Sequence, residues 1–250
     1  MLEGAAAALG TAPANRVIVA LDCSEDEAYA LADRLAGTAT FLKVGMTLYY
    51  SAGPLVVRRL REQGFKVFVD LKLHDIPHQV EGAARSLAQV GAELMTVHAS
   101  GGAEMMRAAL AGASAGDAGR RAGVDRPAVI GVTVLTSMSD QDLASVGVSR
   151  TAAEQVRSLA GLVGGAGLDG VVCSPREASL MRRALGPGAL VVTPGVRPAG
   201  SASDDQQRVA TPAKAIGDGA SHLVVGRPIT RSADPLSAFN AIVEEVASAL

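Results

Sequence analysis

Charged side chains close an apolar run near position 70 of the chain. Residues 66–69 read Lys-Val-Phe-Val, and residues 70–77 continue as Asp-Leu-Lys-Leu-His-Asp-Ile-Pro. Side chains on a strand alternate between its two faces, so Asp70 and Lys72 share a face with Phe68. A carboxylate and an ammonium at the mouth of a buried strand cost desolvation free energy, which a purely structural strand avoids. The pattern therefore indicates chemistry that uses fixed charges.

Lysine is scarce elsewhere in the chain, which makes its positions informative. Only four of the 23 cationic side chains are lysines, and Lys43 and Lys72 both stand at or near the ends of apolar runs. An ammonium is compact and titratable, whereas arginine cannot donate a proton near neutral pH. An alternating array of Lys43, Asp70, Lys72 and Asp75 would keep all four side chains ionised by mutual attraction.

Composition and charge argue against several classes of protein. The chain has 250 residues and a formal net charge of −2, which gives no electrostatic case for a nucleic acid or an anionic membrane as partner. No apolar stretch approaches the ~20 residues that a membrane span needs. Cys23 and Cys173 form no CxxC pair, which favours reduced thiols in a cytoplasmic protein. The Ala-rich residues 1–14 lack the basic start of a secretory signal and are expected to form a flexible tail.

Short β-branched runs alternate with Ala-, Leu- and Arg-rich segments of helical spacing. This alternation predicts parallel βαβ units, and eight units in this length predict a single-domain (β/α)8 TIM barrel over residues 15–250. A doubly wound α/β sheet is the alternative, but residues 21–24 (Leu-Asp-Cys-Ser) stand where that fold carries a GxGxxG turn. The predicted strands are 16–22, 40–45, 66–72, 93–98, 128–135, 170–173, 190–193 and 222–225.

Polar residues fall repeatedly at the C-terminal ends of these predicted strands. Active sites of barrels form at that end, and scattered surface charge would have no reason to follow the direction of the strands. The distribution therefore predicts a catalytic barrel. The residues concerned are Asp22, Lys43, Asp70, Lys72, His98, Thr136, Arg197 and Arg227.

The turns after the seventh and eighth strands have the composition of an anion site. Gly195 and Gly226 let backbone N–H groups approach a ligand closely, and Arg197 and Arg227 offer planar guanidinium groups that suit phosphate. Barrels often bind phosphate at these two positions. The small, polar residues 197–206 between the turns are expected to form a mobile lid.

The histidines and cysteines do not form a metal-binding pattern. His74 and His78 are four residues apart, but Pro77 is expected to open the helix there, so the two rings do not share a helical face. Cys23 has no histidine near it in sequence that would activate it as a nucleophile. Neither a metal site nor a cofactor is therefore expected.

The chain resembles the orotidine 5′-phosphate decarboxylase family, in its bacterial form, over almost its whole length. Residues 70–77 together with Thr-Pro-Gly-Val-Arg at 193–197 and Gly-Arg-Pro-Ile at 226–229 make a highly specific combination. The resemblance implies cofactor-free decarboxylation of orotidine 5′-phosphate to UMP and CO2, the last step of de novo pyrimidine nucleotide synthesis, by a homodimer. Further matching stretches are 19–22, 42–45, 96–99, 132–137 and 205–206.

The resemblance also implies a role for each matching residue. Asp70 would crowd the substrate carboxylate, Lys72 would stabilise and protonate the carbanion at C6, and Asp75 would reach the ribose in the neighbouring subunit's site. The family commonly has Asn-Thr after Asp-Ile-Pro, where this chain has His78 and Gln79, so Gln79 would supply a longer polar arm. Asp22 would bind the ribose or help to position the base, and Lys43 would contact the ribose and hold Asp70. The other substrate contacts would be Ile76, Thr136 at the pyrimidine, Gln206 between pyrimidine and phosphate, and Arg197, Gly226 and Arg227 at the phosphate.

Two other functions fit the same barrel. A Mg²⁺-dependent sugar-phosphate decarboxylase or lyase carries something similar to the Asp-x-Lys-x-x-Asp part, but it would want extra carboxylates for the metal, and Ile76-Pro77 argues against it. A non-catalytic phosphate-binding barrel would not need both Asp70 and Lys72. The charged array suits decarboxylation better, because a carbanion with little delocalisation needs fixed cations near its developing charge.

Overall fold

Eight parallel strands form a closed barrel, in which each strand pairs with its neighbours in chain order and the last strand pairs with the first. This computed structural model describes residues 9–115, 126–198 and 210–250. The predicted (β/α)8 barrel is confirmed. The strands are β1 (Val17–Ala20), β2 (Phe41–Gly45), β3 (Lys66–Leu73), β4 (Leu94–His98), β5 (Ala128–Val132), β6 (Gly170–Val172), β7 (Leu190–Pro194) and β8 (His222–Val225).

Helices connect the strands and pack around the barrel. They are α1 (Glu25–Leu35), α2 (Met46–Ala52), α3 (Leu55–Glu62), α4 (Pro77–Gln89), α5 (Gly102–Ser114), α6 (Asp140–Ser145), α7 (Ala152–Ala166), α8 (Ala178–Leu185), α9 (Pro212–Gly217), α10 (Arg227–Thr230) and α11 (Pro235–Ala247). Helix α1 starts at a capping box, in which the Ser24 hydroxyl accepts from the backbone N–H of Glu27 and the Glu27 carboxylate accepts from that of Ser24. Across the described ranges, no helix has the length and apolar character required for a membrane crossing.

Strand alternation divides the apolar side chains into two cores. One lies between strands and helices, and the other fills the barrel. Phe41 of β2 and Phe68 of β3 belong to the inner core, so the next inward positions on these strands hold Lys43 and Asp70. The charged residues therefore begin where the inner core ends. That inner core comprises Leu9, Ile18, Ala20, Phe41, Phe68, Leu94, Ala128, Ile130, Leu190, Val192 and Val224.

The start of the described chain differs from the expected flexible tail. Leu9 is only 3% exposed and packs into the inner core, and its carbonyl accepts a hydrogen bond of 2.9 Å from Lys66 Nζ. A 3-10 helix, Pro13–Arg16, then leads into β1. Because Lys66 begins β3, Leu9 covers the end of the barrel opposite the strand C-termini. Residues 1–8 of the expected tail lie outside the described residues.

The main differences from the expected elements lie in segments that follow strand ends. The predicted strand 128–135 ends earlier, at Val132, and the hydroxyl of Thr133 then donates to the carbonyl of Val172. The short helices α2, α6 and α10 fall in stretches for which the sequence pattern predicts no helix. Such short helices depend on packing against the barrel more than on their own propensity, so periodicity detects them poorly.

The N-terminal end of β8 carries a buried titratable group, His222, which is 2% exposed. Burial lowers its pKa from 6.5 to about 3, and the positive charges of Arg16, Lys66 and Arg182 act in the same direction. In the unfolded chain this ring takes up a proton below its ordinary pKa, whereas in the folded protein it stays neutral. The unfolded state therefore binds more protons between these two values, and stability falls as the pH falls from about 6.5.

This difference gives a prediction for His222→Gln, which cannot titrate. Between about pH 7.5 and about pH 5 the wild type should lose about 2 kcal/mol more of its free energy of unfolding than the variant does. Urea titration of both proteins at the two pH values measures this difference. Comparing the two losses cancels any pH-independent effect of the substitution on the free energy of unfolding. It also cancels the contributions of titratable groups that both proteins share. Equal losses in the two proteins would mean that His222 takes up a proton in the folded state.

Candidate active site

A cavity of about 750 Å³ opens at the C-terminal ends of the strands. Its apolar floor is the top layer of the inner core, and its walls carry the polar residues that follow the strands. The cavity thus has the apolar body and the few converging polar groups that are typical of a small-molecule site. The floor consists of Ala20, Phe68, Val172, Val192 and Val224.

Four charged side chains from adjacent strands meet on one wall of this cavity. Lys43 Nζ lies 3.0 Å from Asp22 Oδ1 and 3.6 Å from Asp70 Oδ2. Lys72 Nζ lies 2.9 Å from Asp70 Oδ1. We call these residues, Asp22, Lys43, Asp70 and Lys72, the charged array. Negative and positive groups alternate along it, so each charge is stabilised by a neighbour of opposite sign.

Asp70 is the most enclosed carboxylate of the array. Its burial alone would raise its pKa, but the ammonium groups of Lys43 and Lys72, with hydrogen bonds from Lys72 and Thr96, outweigh that effect and lower the pKa below its usual value. Asp70 is therefore ionised at neutral pH. A fixed negative charge beside two ammonium groups is the feature that the sequence pattern predicted for this strand.

The backbone at Lys72 departs from regular strand geometry. Its φ is +52°, and among the described residues it is the one non-glycine residue with a positive φ. This conformation costs a non-glycine residue about 1–2 kcal/mol. The register between β3 and β4 shifts between Val69 and Leu73, so the strand bulges at this position. A bulge changes the direction in which a side chain leaves the strand, and the side chain of Lys72, which lies in this bulge, lines the cavity.

Gly45, at the end of β2, leaves room for the other half of the charged array. A Cβ at this position would lie 2.8 Å from Lys43 Nζ and 3.0 Å from Asp22 Oδ1. Any side chain there would therefore displace the contact between these two charged groups. Gly45 belongs to a stretch that matches the family, but this role could not be predicted from the sequence. The close approach of Lys43 and Asp22 to Gly45 depends on how neighbouring strands are placed.

The turns after β7 and β8, the second of which adjoins β1 in the closed barrel, carry the predicted anion-binding residues. Arg197, Arg227, Gly195 and Gly226 all line it. Gly195 has a φ of +82°, and the backbone of the segment that follows it is held by Ala210, whose carbonyl accepts from the N–H of Arg197 at 3.0 Å. Two guanidinium groups and two glycine turns on one side of the cavity suit a phosphate. Most of the predicted lid, residues 199–206, lies outside the described residues.

The structure brings most of the predicted site residues to one cavity. Asp75, Ile76 and Gln79 are exposed and do not line it, and the Asp75 carboxylate instead accepts a hydrogen bond of 2.6 Å from the N–H of Ile76. Gln206 lies outside the described residues. The predicted residues that line the cavity are Asp22, Lys43, Asp70, Lys72, Thr136, Arg197, Gly226 and Arg227.

Sequence reasoning missed Thr96 of β4. This side chain is fully buried, and its hydroxyl donates to Asp70 Oδ1 at 3.0 Å while accepting from the backbone N–H of Lys72 at 2.9 Å. The residue lies inside a stretch that matches the family, 96–99, but a single threonine in an apolar strand gives no signal of such contacts. Only the pairing of β3 with β4 reveals it.

Among the described residues, the cavity contains neither an activated thiol nor a cluster of metal-binding side chains. Cys23 lines the cavity, and burial together with the carboxylates of Glu27 and Asp22 raises its pKa to about 11, so its thiol stays protonated near neutral pH. Within residues 9–115, 126–198 and 210–250, no group of three or more His, Cys, Asp or Glu side chains is placed to hold a metal ion. The oxygens of Asp70 already face two ammonium groups and a hydroxyl.

Comparison with known proteins places this geometry in a family. The sequence profile of the orotidine 5′-phosphate decarboxylase / HUMPS family matches residues 15–242. A protein of Alkalilimnicola ehrlichii named orotidine 5′-phosphate decarboxylase is 50% identical over 235 residues, which cover 94% of this chain and 97% of the relative. One of the same name from Cutibacterium acnes is 50% identical over 233 residues, covering 92% and 96%.

A solved structure agrees with these sequence matches. The crystal structure of orotidine 5′-phosphate decarboxylase from Lactobacillus acidophilus superposes with a TM-score of 0.81 at 42% sequence identity, and the match covers 92% of this chain and 98% of that one. Sequence profile, full-length relatives and fold agree with the catalytic barrel built up from the charged array. The chain belongs to the orotidine 5′-phosphate decarboxylase / HUMPS family.

Proposed function

We propose that this chain decarboxylates orotidine 5′-phosphate to UMP and CO2 without a cofactor, which is the last step of de novo pyrimidine nucleotide synthesis. The observation that carries this proposal is the charged array in a cavity that Arg197 and Arg227 also line. The relatives that match almost the whole chain bear the name of this activity. Array and turns suit the two ends of such a substrate, a reacting carboxylate and a phosphate.

Lys72 performs the central step. The bond between C6 of the pyrimidine and the carboxylate carbon breaks, CO2 leaves, and the electron pair stays on C6. The Lys72 ammonium stabilises this carbanion electrostatically and then transfers a proton to C6, which forms the C–H bond of UMP. The neutral amine recovers its proton from solvent, so the reaction consumes one proton for each CO2 released.

Asp70 acts on the ground state of the substrate. Because its pKa is lowered, it presents a negative charge where the substrate carboxylate must lie. Two carboxylates in contact repel each other, and this repulsion is relieved when neutral CO2 leaves and the negative charge moves onto C6, beside the Lys72 ammonium. The same carboxylate holds the Lys72 ammonium at 2.9 Å, so it also fixes the proton donor.

The remaining contacts follow the family resemblance. Asp22 and Lys43 contact the ribose, and Thr136 contacts the pyrimidine; all three line the cavity. Gln206 bridges the pyrimidine and the phosphate. The contacts to the ribose and the base turn the scissile bond toward the Lys72 ammonium. Binding energy at these contacts is therefore used to orient the reacting groups.

The phosphate turn gives a direct prediction. Arg227→Ala should lower kcat/KM for orotidine 5′-phosphate by the equivalent of about 2–4 kcal/mol in transition-state free energy. The reason is that a charged hydrogen bond remote from the reacting bond contributes binding energy to catalysis. Steady-state kinetics with orotidine 5′-phosphate and with orotidine, which lacks the phosphate, separate this effect from a structural one. The loss should be almost absent with orotidine.

The control for that experiment is Arg58→Ala, which removes an exposed arginine of α3 outside the cavity lining. It should leave both substrates unaffected. Equal losses of Arg227→Ala on the two substrates would assign Arg227 a structural role.

We also propose that two copies of the chain share their active sites as an isologous dimer. Asp75, Ile76 and Gln79 follow the C-terminal end of β3, but they are exposed and do not line the cavity of their own chain. The rim formed by the segments that follow β2 and β3 also exposes apolar side chains: Met46 is 47%, Tyr50 72% and Ile76 63% exposed. A partner that covers this rim would receive Asp75 at its ribose site.

The proposed setting is the cytoplasm, with a small-molecule substrate and no nucleic-acid partner. Cys23 and Cys173 form no disulfide with each other, which suits a reducing compartment. The net charge of −2 offers no attraction for a polyanion.

Turnover of orotidine 5′-phosphate tests the proposed activity against the Mg²⁺-dependent alternative. Protein treated with excess EDTA and freed of it should convert the substrate to UMP at the same rate as untreated protein, and added Mg²⁺ should not change that rate. The loss of the pyrimidine carboxylate is followed by ultraviolet absorbance. Activity that disappears with EDTA and returns with Mg²⁺ supports the sugar-phosphate type of chemistry, and an inactive, phosphate-binding protein supports the non-catalytic barrel.

A further inference from the structure

Thr96 lies behind the charged array and contacts two of its members at once. Its hydroxyl donates to Asp70 Oδ1 at 3.0 Å and accepts from the backbone N–H of Lys72 at 2.9 Å. The side chain is fully buried within β4. A single hydroxyl therefore hydrogen-bonds to both Asp70 and Lys72, the two residues nearest to the reacting bond.

The contact lies where the β3–β4 pairing is irregular. Val69 pairs with Met95 and Leu73 pairs with Val97, so three residues of β3 face one residue, Thr96, of β4. The N–H of Lys72 meets the Thr96 side chain at this point. The Thr96 hydroxyl thus accepts a hydrogen bond from a backbone N–H that the bulge removes from the strand ladder.

The same backbone position is the strained one. Lys72 has a φ of +52°, which a non-glycine residue keeps only where its surroundings hold it. The hydrogen bond from its N–H to Thr96 is one such restraint, and the ion pair of its Nζ with Asp70 is another. Thr96 also donates a hydrogen bond to Asp70, so it contributes to both restraints.

We propose that Thr96 is a positioning residue of the decarboxylase site, whose hydroxyl fixes the backbone of Lys72 and the carboxylate of Asp70 so that both charges face the substrate at a constant separation. This inference rests on the proposed function. Thr96 touches no substrate itself, because it does not line the cavity. It acts through the two residues that do.

Three substitutions separate the hydroxyl from the volume of the side chain. Thr96→Val keeps the shape and removes both hydrogen bonds, Thr96→Ala also removes volume, and Thr96→Ser restores the hydroxyl. We expect Val and Ala to lower kcat by about 10- to 100-fold, as for loss of hydrogen bonds to charged groups, with KM changed less than about threefold. Thr96→Ser should keep kcat within about threefold of the wild type.

Thr133→Val is the matched control. Thr133 is 4% exposed, and its hydroxyl donates to the carbonyl of Val172 at 3.1 Å, away from the charged array. This variant also loses a buried hydroxyl near the end of a strand, and it should keep its kcat. Calorimetric titration with UMP counts the folded sites of every variant, so that kcat is expressed per intact site.

The outcomes are distinct. Loss of kcat in Thr96→Val and Thr96→Ala, with retention in Thr96→Ser and Thr133→Val, supports the proposal. Wild-type kcat in Thr96→Val, or a Thr96→Ser variant as slow as Thr96→Val, overturns it while leaving the proposed function intact. A wild-type protein that does not convert orotidine 5′-phosphate overturns the proposed function instead, and the positioning role with it.

Discussion

Lys72→Ala should reduce kcat for orotidine 5′-phosphate by at least about three orders of magnitude, with a much smaller change in KM. One ammonium supplies both the charge that stabilises the carbanion and the proton that quenches it, and each contribution alone is worth about 10²–10³-fold or more. The Asp70 carboxylate, which contacts this ammonium at 2.9 Å, also loses a stabilising neighbour. Substrate contacts at the ribose and phosphate remain, so binding should be affected less than turnover.

Single-turnover kinetics, read as UMP formed per site, measure this loss without interference from product release. The matched control is Lys214→Ala, which removes an exposed lysine of α9 that pairs with Asp218 four residues away. That variant should retain the wild-type rate. A Lys72→Ala protein within about tenfold of wild type would place the proton donor elsewhere in the site.

The second large effect is recovery of activity from two inactive proteins. Lys72→Ala and Asp75→Asn should each be nearly inactive alone, because each lacks one charge at both sites of the dimer. After mixing and subunit exchange, about half of the dimers contain one chain of each kind, and one of their two sites combines an intact Lys72 with an intact Asp75. Activity should therefore rise to about one quarter of the wild-type value.

A second mixture serves as its control. Lys43 and Lys72 both contact Asp70 within one chain, so they belong to the same site. Mixing Lys43→Ala with Lys72→Ala creates no intact site and should restore nothing. Native mass spectrometry confirms that the subunits have exchanged. If the first mixture stays inactive although mixed dimers form, Asp75 acts within its own chain and the shared-site proposal fails.

The barrel could be predicted because its cause lies in local sequence. The strand 222–225 was predicted with its final bounds, and the alternation that puts Phe68 and Asp70 on the same inner face follows from the two-residue period of a strand. The direction of the parallel strands then brings Asp22, Lys43 and Asp70 to the same end of the barrel. Side-chain alternation and strand direction are enough to reach these positions.

The contacts that tune the site could not be predicted in this way. Lys72 lies in a bulge with a left-handed backbone, which ordinary strand propensities disfavour for lysine. Thr96 and Gly45 act only on side chains of neighbouring strands, and Leu9 closes the barrel from a segment with no periodicity. These features depend on three-dimensional neighbours, which a single sequence does not display.

Hydrogen exchange at C6 of UMP tests most directly the claim that Lys72 holds and delivers the C6 proton. The group that protonates the carbanion in the forward direction must also remove that proton in the reverse direction. In deuterated buffer, proton NMR should show the H6 signal of UMP decaying faster with wild-type protein than without protein, and decaying at the protein-free rate with Lys72→Ala. Exchange with Lys72→Ala that is as fast as with the wild type would contradict the account.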